Sequence, residues 1–169
     1  MFHNLHNVGG RTEDGAGLLT SILLRYSEIG AVHYRRDEHA LQFTFMITEF
    51  KDEIAFKEII MPALEFFHQL HGQDMRVLDI SCRNVGDLTI LTVIRDIDSI
   101  SLSEIGLIIE LLKGEFKSHL FCEEMSLAEE EEIFQEEMIS SMLSTIQMED
   151  IEKNVIALRE EGRVLVIKN

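Results

Sequence analysis

The sequence is poor in the features that mark secreted and membrane proteins. It has two cysteines, Cys82 and Cys122, so it can form at most one disulfide. The N-terminus has no basic segment followed by a long apolar one, so we expect no export signal, two reduced thiols and a cytoplasmic location. No apolar run approaches the about 20 residues that a membrane-spanning helix needs. A disulfide-stabilised secreted domain and a membrane protein are both disfavoured.

Basic residues are also scarce. Fifteen lysines and arginines stand against 31 aspartates and glutamates, which gives a formal net charge of −16 at pH 7. At that charge a protein repels phosphate groups unless it carries a local basic patch. The only adjacent basic pair is Arg35-Arg36, which is too small to form one. We therefore expect binding neither to nucleic acid nor to an anionic membrane.

The common catalytic motifs are missing as well. The glycines near the N-terminus follow no predicted strand and match neither the P-loop nor the dinucleotide-binding pattern. The sequence contains neither Gly-x-Ser-x-Gly nor His-Glu-x-x-His. The interpretation therefore leans away from an enzyme, and we expect no cofactor.

The feature that is present is a helix–hairpin pattern that occurs twice, in residues 14–48 and 52–96. In each unit an apolar spacing of 3.6 residues gives way to two runs of alternating residues across a short polar turn. Asp52 is placed to cap the second helix and Gly72 to end it. An internal duplication and the recurrence of a common arrangement both account for the pattern.

Two further signals shape the helices of this region. Pro62, the only proline, lies inside the second helical stretch and predicts a kink or a split there. A third helix is predicted over residues 102–116, where Ser101 and Glu104 have the spacing of a capping box.

The composition changes after residue 120. Residues 121–169 contain 13 acidic and 4 basic residues. The spacing of the apolar residues in this segment predicts a helix over 126–147 and a shorter one over 149–161. The chain then closes with Arg163–Lys168, which has the pattern of a strand. An apolar strand left unpaired in water promotes aggregation, so it has to join a sheet edge in its own chain or in a partner's.

These signals predict an α+β fold. We expect a two-layer sandwich, in which the two helix–hairpin units form a mainly antiparallel sheet with helices on one face, plus a C-terminal helical extension and a terminal strand. The predicted organisation is a polar N-terminal segment (1–13), a core domain (14–120) and an acidic C-terminal part (121–169) packed on the core or on a partner subunit. A homodimer would cover the remaining apolar surface.

Two groups of residues could bind a ligand. Glu65, His68 and His71 share one face of the second helix, and a carboxylate with histidines in that arrangement is how helical metal sites are built. His33, Arg35, Asp79 and Arg83 lie on the polar side of the predicted strands, where they could hold a small molecule or perform acid–base chemistry. The alternatives are surface histidines at a helix end and a solvated sheet face.

The sequence leaves two functional hypotheses. The first is a cytoplasmic, non-catalytic regulatory or adaptor protein that acts through homo-oligomerisation and binding to a protein partner. The second is a small-molecule-binding or enzymatic domain that uses the polar sheet face. We prefer the first, because the catalytic motifs are absent and an acidic helix is expected at the surface.

Overall fold

The computed structural model describes residues 15–124, 127–149 and 151–169. The predicted polar segment 1–13 lies outside this part of the chain. The helices of the described residues are α1 (Ala16–Arg25), α2 (Glu53–His71), α3 (Leu102–Phe116) and α4 (Glu129–Met148), with a short 3₁₀ helix at Lys117–His119. The strands are β1 (Ala31–Arg35), β2 (Ala40–Thr48), β3 (Leu78–Val85), β4 (Leu88–Asp96), β5 (Val155–Glu160) and β6 (Arg163–Lys168).

The six strands form one antiparallel sheet in the order β3-β4-β2-β1-β5-β6. The two predicted hairpins, β1–β2 and β3–β4, meet through their second strands, because β2 pairs with β4 along its whole length. The second hairpin places β3 at one edge of the sheet, whereas β1 of the first hairpin pairs with β5 on its other side. The predicted α+β fold with a mainly antiparallel sheet is confirmed.

The core lies between the helices and one face of the sheet. Alternate residues of the strands point into it, so that Phe43 and Phe45 of β2 and Val93 of β4 are fully buried. From the helices, Leu19 of α1 and Leu64 of α2 join the same cluster. The helices thus cover one face, as the sequence predicts.

The boundaries of α2 and the start of α3 follow the predicted signals. Asp52 caps α2 by accepting a hydrogen bond from the Ala55 amide at 3.0 Å, and Gly72 ends the helix with a left-handed conformation at φ 64°. Ser101 accepts a hydrogen bond from the Glu104 amide at 3.2 Å at the start of α3. Pro62 does not split α2, which is continuous over 19 residues.

The second C-terminal helix, predicted over 149–161, is wrong. This part of the chain contains β5, which forms a hairpin with β6 across the two-residue loop Glu161-Gly162. Both loop residues have positive φ, 45° and 77°, as a type I′ hairpin turn requires. The glycine that resembles a helix stop therefore closes a hairpin, and strand pairing overrides the weak helical spacing.

The terminal strand pairs within its own chain. β5 pairs with β1 at the edge of the first hairpin, and β6 pairs with β5. Val155 and Ala157 of β5 are fully buried in the common core, together with Ile139 of α4. The acidic C-terminal part therefore supplies a third of the sheet as well as a helix.

Candidate functional sites

One face of the sheet lies opposite the helices, and we call it the open face. The strand register arranges its side chains in rows that cross the sheet. One row contains Asp79, Ile94, Gln42, His33, Ile156 and Ile167, and the next contains Ser81, Thr92, Thr44, Ala31, Leu158 and Leu165. The open face is thus polar on β3 and β2, mixed on β4, and apolar on β5 and β6.

The four predicted ligand residues lie on or beside this face but do not converge. His33 and Arg83 both line a shallow depression of about 490 Å³, whereas Arg35 and Asp79 are not part of its lining. β1 and β3 are separated by two strands, and Arg83 lies four residues along β3 from the row of His33, so the two residues stand about 20 Å apart at the usual strand geometry. Arg35 forms an ion pair with Glu38 and donates to Gln42 Oε1 at 3.1 Å. The four residues therefore do not form a charge pair around one point.

The electrostatics of His33 favour its neutral form. Partial burial lowers the pKa of its imidazole, the positive charge of Arg35 lowers it further, and Glu38 offsets part of this effect. A neutral imidazole can accept or donate a hydrogen bond on the open face without adding charge to it.

The structure separates the three residues of the predicted metal site. Glu65 and His71 are exposed, and His71 Nδ1 donates to the Phe67 carbonyl at 2.8 Å while its ring stacks on that of Phe67. His68 points the other way and is 2% exposed. In the described part of the chain, no group of three or more His, Cys, Asp or Glu is placed to hold a metal ion.

His68 instead belongs to a buried ionic cluster that the sequence does not reveal. At its centre is Arg95 of β4, which is fully buried and contacts Glu104 of α3 with two nitrogens, Nε at 2.5 Å and Nη2 at 3.0 Å. His68 Nε2 lies 2.6 Å from Glu104 Oε1, and its Nδ1 has no hydrogen-bond partner among the described residues. Glu104 thus connects α3 to both the sheet, through Arg95, and α2, through His68.

Asp96 forms the other side of this cluster. Its Oδ1 accepts from Arg95 Nη1 at 2.5 Å and from the backbone amide of Val77 at 3.0 Å, and its Oδ2 accepts from Ser99 Oγ at 2.7 Å. Burial alone would raise the pKa of Asp96, but these hydrogen bonds and the charge of Arg95 outweigh it and hold the pKa below its ordinary value. The carboxylate is therefore a structural anion.

A second surface lies on the first half of α4. The helix begins with four consecutive glutamates, 129–132, and continues with Glu136 and Glu137. On the same stretch Ile133, Phe134 and Met138, which belong to the apolar side of the predicted helix, are 50%, 56% and 38% exposed. Only the second half of α4, including Ile139 and Leu143, reaches the core. We call Glu129–Met138 the acidic-apolar surface.

The inner edge of this surface borders a cleft between α1, α3 and α4. Glu136 accepts from Arg25 Nε at 2.7 Å, and both residues line the cleft, whose volume is about 390 Å³. Tyr26 lies under the guanidinium of Arg25, and burial raises the pKa of its phenol to about 12 although Arg25 opposes the shift. Glu28 and Glu110 also line the cleft, and Lys113 lies within ion-pair distance of both, at 3.9 and 3.6 Å.

Comparisons with protein-family models, with curated proteins and with solved structures find no match for this chain. No helix in residues 15–124, 127–149 and 151–169 is long and apolar enough to cross a membrane. The open face of the sheet and the acidic-apolar surface of α4 are consequently the candidate functional surfaces.

Proposed function

We propose that this protein is a non-catalytic adaptor that binds a basic, amphipathic segment of a partner protein on the acidic-apolar surface of α4. The observation that carries the proposal is the exposure of three large apolar side chains, Ile133, Phe134 and Met138, in the most acidic stretch of the chain. Exposed apolar patches with a polar rim are typical of protein interaction sites.

The spacing of these residues suits a helical or extended ligand. Phe134 and Met138 are four residues apart, so they form one ridge on the outer side of α4, with Ile133 beside it. The surrounding glutamates carry negative charge, and among the described residues only Arg25 forms an ion pair with them, at Glu136. A partner with lysines or arginines flanking apolar residues would match both properties, and its charge would accelerate association.

We also propose that the protein acts as a homodimer in the cytoplasm. The open face of the sheet supports the dimer, because it lies opposite the helical layer and presents the half-buried Ile90 of β4. Two free cysteines, of which Cys122 is exposed, fit a reducing compartment. The open face encloses a small molecule poorly, because it is a flat sheet surface whose charged residues do not converge.

The test uses a defined probe, a fluorescent 18-residue helical peptide of leucine and lysine, with a leucine–glutamate peptide of the same pattern as its control. We expect the basic peptide to bind and to perturb the amide NMR signals of residues 129–141. Replacing Phe134→Ser and Met138→Ser together should weaken binding about tenfold or more, since each residue loses its buried apolar contact.

A matched control is the double variant Phe66→Ser and Leu70→Ser on α2. Phe66 is 61% exposed and Leu70 is 68% exposed, but no acidic stretch surrounds them. This variant should bind the basic peptide like the wild type. Equal binding by the α4 variant, or perturbations confined to other elements, would rule out the proposed surface.

A further inference from the structure

We propose that a second copy of this chain docks on the open face of the sheet, around a two-fold axis that crosses the strands along the row Ser81, Thr92 and Thr44. The inference rests on the homodimer in the proposed function and specifies its geometry. In this arrangement the sheets pack face to face, and Asp79 of each copy meets Arg83 of the other.

The register of β3 and β4 carries the inference. Ser81 is paired with Thr92, and the rows on either side pair Asp79 with Ile94 and Arg83 with Ile90. A two-fold axis along the Ser81–Thr92 row places the flanking row of Asp79 and Ile94 in one copy over the flanking row of Arg83 and Ile90 in the other. Asp79 then lies opposite Arg83, so that each of these charges meets the opposite charge of the other copy, and the half-buried Ile90 lies opposite Ile94, which is 7% exposed.

The charges involved are available for such a contact. Asp79 and Arg83 are both exposed, and neither has an ion-pair partner among the described residues. The other in-plane axis, parallel to the strands, would keep each row of the sheet level with the same row of the other copy. Asp79 would then face a member of its own row, which contains no lysine or arginine, and could not reach Arg83 of the other copy. The charge pattern therefore selects the axis that crosses the strands.

The side chains on the proposed axis are small. Ser81, Thr92 and Thr44 line the depression on the open face, and the hydroxyls of Ser81 and Thr92 are hydrogen-bonded to each other at 2.7 Å. Small residues at this row let two sheets approach to the usual separation of about 10 Å. Because sheets twist, contact is expected over β3, β4 and β2, while the far strands diverge.

The test is a charge swap, followed by sedimentation velocity of the full chain from about 1 to 300 μM. Asp79→Arg or Arg83→Asp alone places like charges together twice in the dimer and should raise the dissociation constant about ten- to a hundredfold. The double variant, Asp79→Arg with Arg83→Asp, should restore association, because the pairing is only reversed. Matching thermal unfolding curves establish that each variant is folded.

A second measurement locates the axis. With Cys82→Ala and Cys122→Ser as the background, Ser81→Cys should cross-link to itself with a short bismaleimide, whereas Glu115→Cys on the helical layer should not. A wild-type protein that stays monomeric over the whole range would overturn both this dimer and the homodimer of the proposed function. If neither single charge variant raised the dissociation constant of the dimer, or if the double variant did not restore association, the axis would be overturned but the homodimer would not.

Discussion

At the scale of single residues, the most consequential side chain is Arg95. It lies in the core without solvent contact, and each of its nitrogens is occupied by a carboxylate, a carbonyl or a hydroxyl of the protein. Burying a charge is costly unless it is paired and hydrogen-bonded, and Glu104 and Asp96 satisfy that condition. The cluster therefore holds its three elements, β4, α2 and α3, in one relative position.

Breaking this cluster should be severely destabilising. Glu104→Gln removes the negative charge that faces Arg95, and we expect a loss of about 3 kcal/mol or more in the free energy of unfolding, because a buried cation is left with incomplete pairing. Denaturant unfolding measures the change. Glu110→Gln on the exposed side of α3 is the control and should stay within about 0.5 kcal/mol of the wild type. A loss below about 1 kcal/mol for Glu104→Gln would contradict the importance of the pair.

The lowered pKa of Asp96 predicts how stability responds to acid. Because the folded state binds this proton less readily than the unfolded state, whose carboxyl titrates at about 3.9, the carboxylate stabilises the fold above about pH 4. That contribution is lost as the pH falls through the lower, folded pKa. Asp96→Asn should therefore be less stable than the wild type at pH 7, and the difference should shrink between pH 4 and pH 3.

Unfolding curves at pH 7, 5, 4 and 3 check this prediction. Asp74→Asn, at an exposed position, serves as the matched carboxylate outside the cluster. A wild-type advantage over Asp96→Asn that stays constant from pH 7 to pH 3 would show that the carboxylate charge is not what Asp96 contributes.

At the scale of secondary-structure elements, Arg159 connects β5 to the end of α1. Its Nη2 donates to the carbonyls of Leu23 and Tyr26 at 2.5 and 2.9 Å, and its Nε donates to the Ile29 carbonyl at 3.2 Å. The last carbonyls of a helix have no partner within the helix, and a cation there also interacts favourably with the helix dipole. One strand residue thus completes the C-terminal end of a helix more than 130 positions earlier in the chain.

Arg159→Met should uncouple the two elements. We expect a loss of about 2–4 kcal/mol in the free energy of unfolding, because the carbonyls at the end of α1 lose charged hydrogen-bond donors while they stay partly buried. Hydrogen exchange should accelerate most at the end of α1 and in the connection to β1. Arg163→Met, at an exposed position of β6, should leave the exchange of α1 unchanged. Equal protection of α1 in both variants would show that Arg159 does not hold it.

The same strand shows where local patterns fail. Residues 149–161 have a helical spacing of apolar residues, yet the alternation of Val155, Ala157 and Arg159 toward the core is what the structure uses. Two apolar runs separated by two residues ending in glycine are a hairpin signal, and Glu161-Gly162 is such a pair. The hairpin could have been predicted from that signal, whereas the pairing of β5 with β1 could not, because the two strands are far apart in sequence.

At the scale of the whole molecule, the acidic C-terminal part is inseparable from the sheet. Its strands β5 and β6 extend the edge formed by β1, and α4 packs against α1 in the same core. Removing it would expose the edge of β1 and the apolar side of α1. An unpaired edge next to an exposed core favours aggregation.

Deletion of residues 121–169 should therefore abolish cooperative folding. We expect the shortened chain to lose the near-UV circular dichroism and the dispersed NMR signals of the full chain, since it lacks two of six strands and several core residues. A shortened chain that unfolds cooperatively would instead identify residues 14–120 as an independent domain. Partner binding has to be probed by point substitutions on α4, because a truncation would remove the fold along with the surface.

The sequence alone determined the elements that depend on neighbours in the chain. Alternation, caps and turn residues specified α2, α3, the hairpins β1–β2 and β3–β4 and the α+β class, because each signal acts within a few residues. It also identified His33, Arg35, Asp79 and Arg83 as a polar set on one side of the strands. Only the tertiary structure decided that His68 and Glu104 join Arg95 in the core, that Phe134 and Met138 remain exposed, and that Asp79 and Arg83 flank one row of an open sheet face. These outcomes depend on which distant strands and helices meet, and that choice is made by the burial of the whole core.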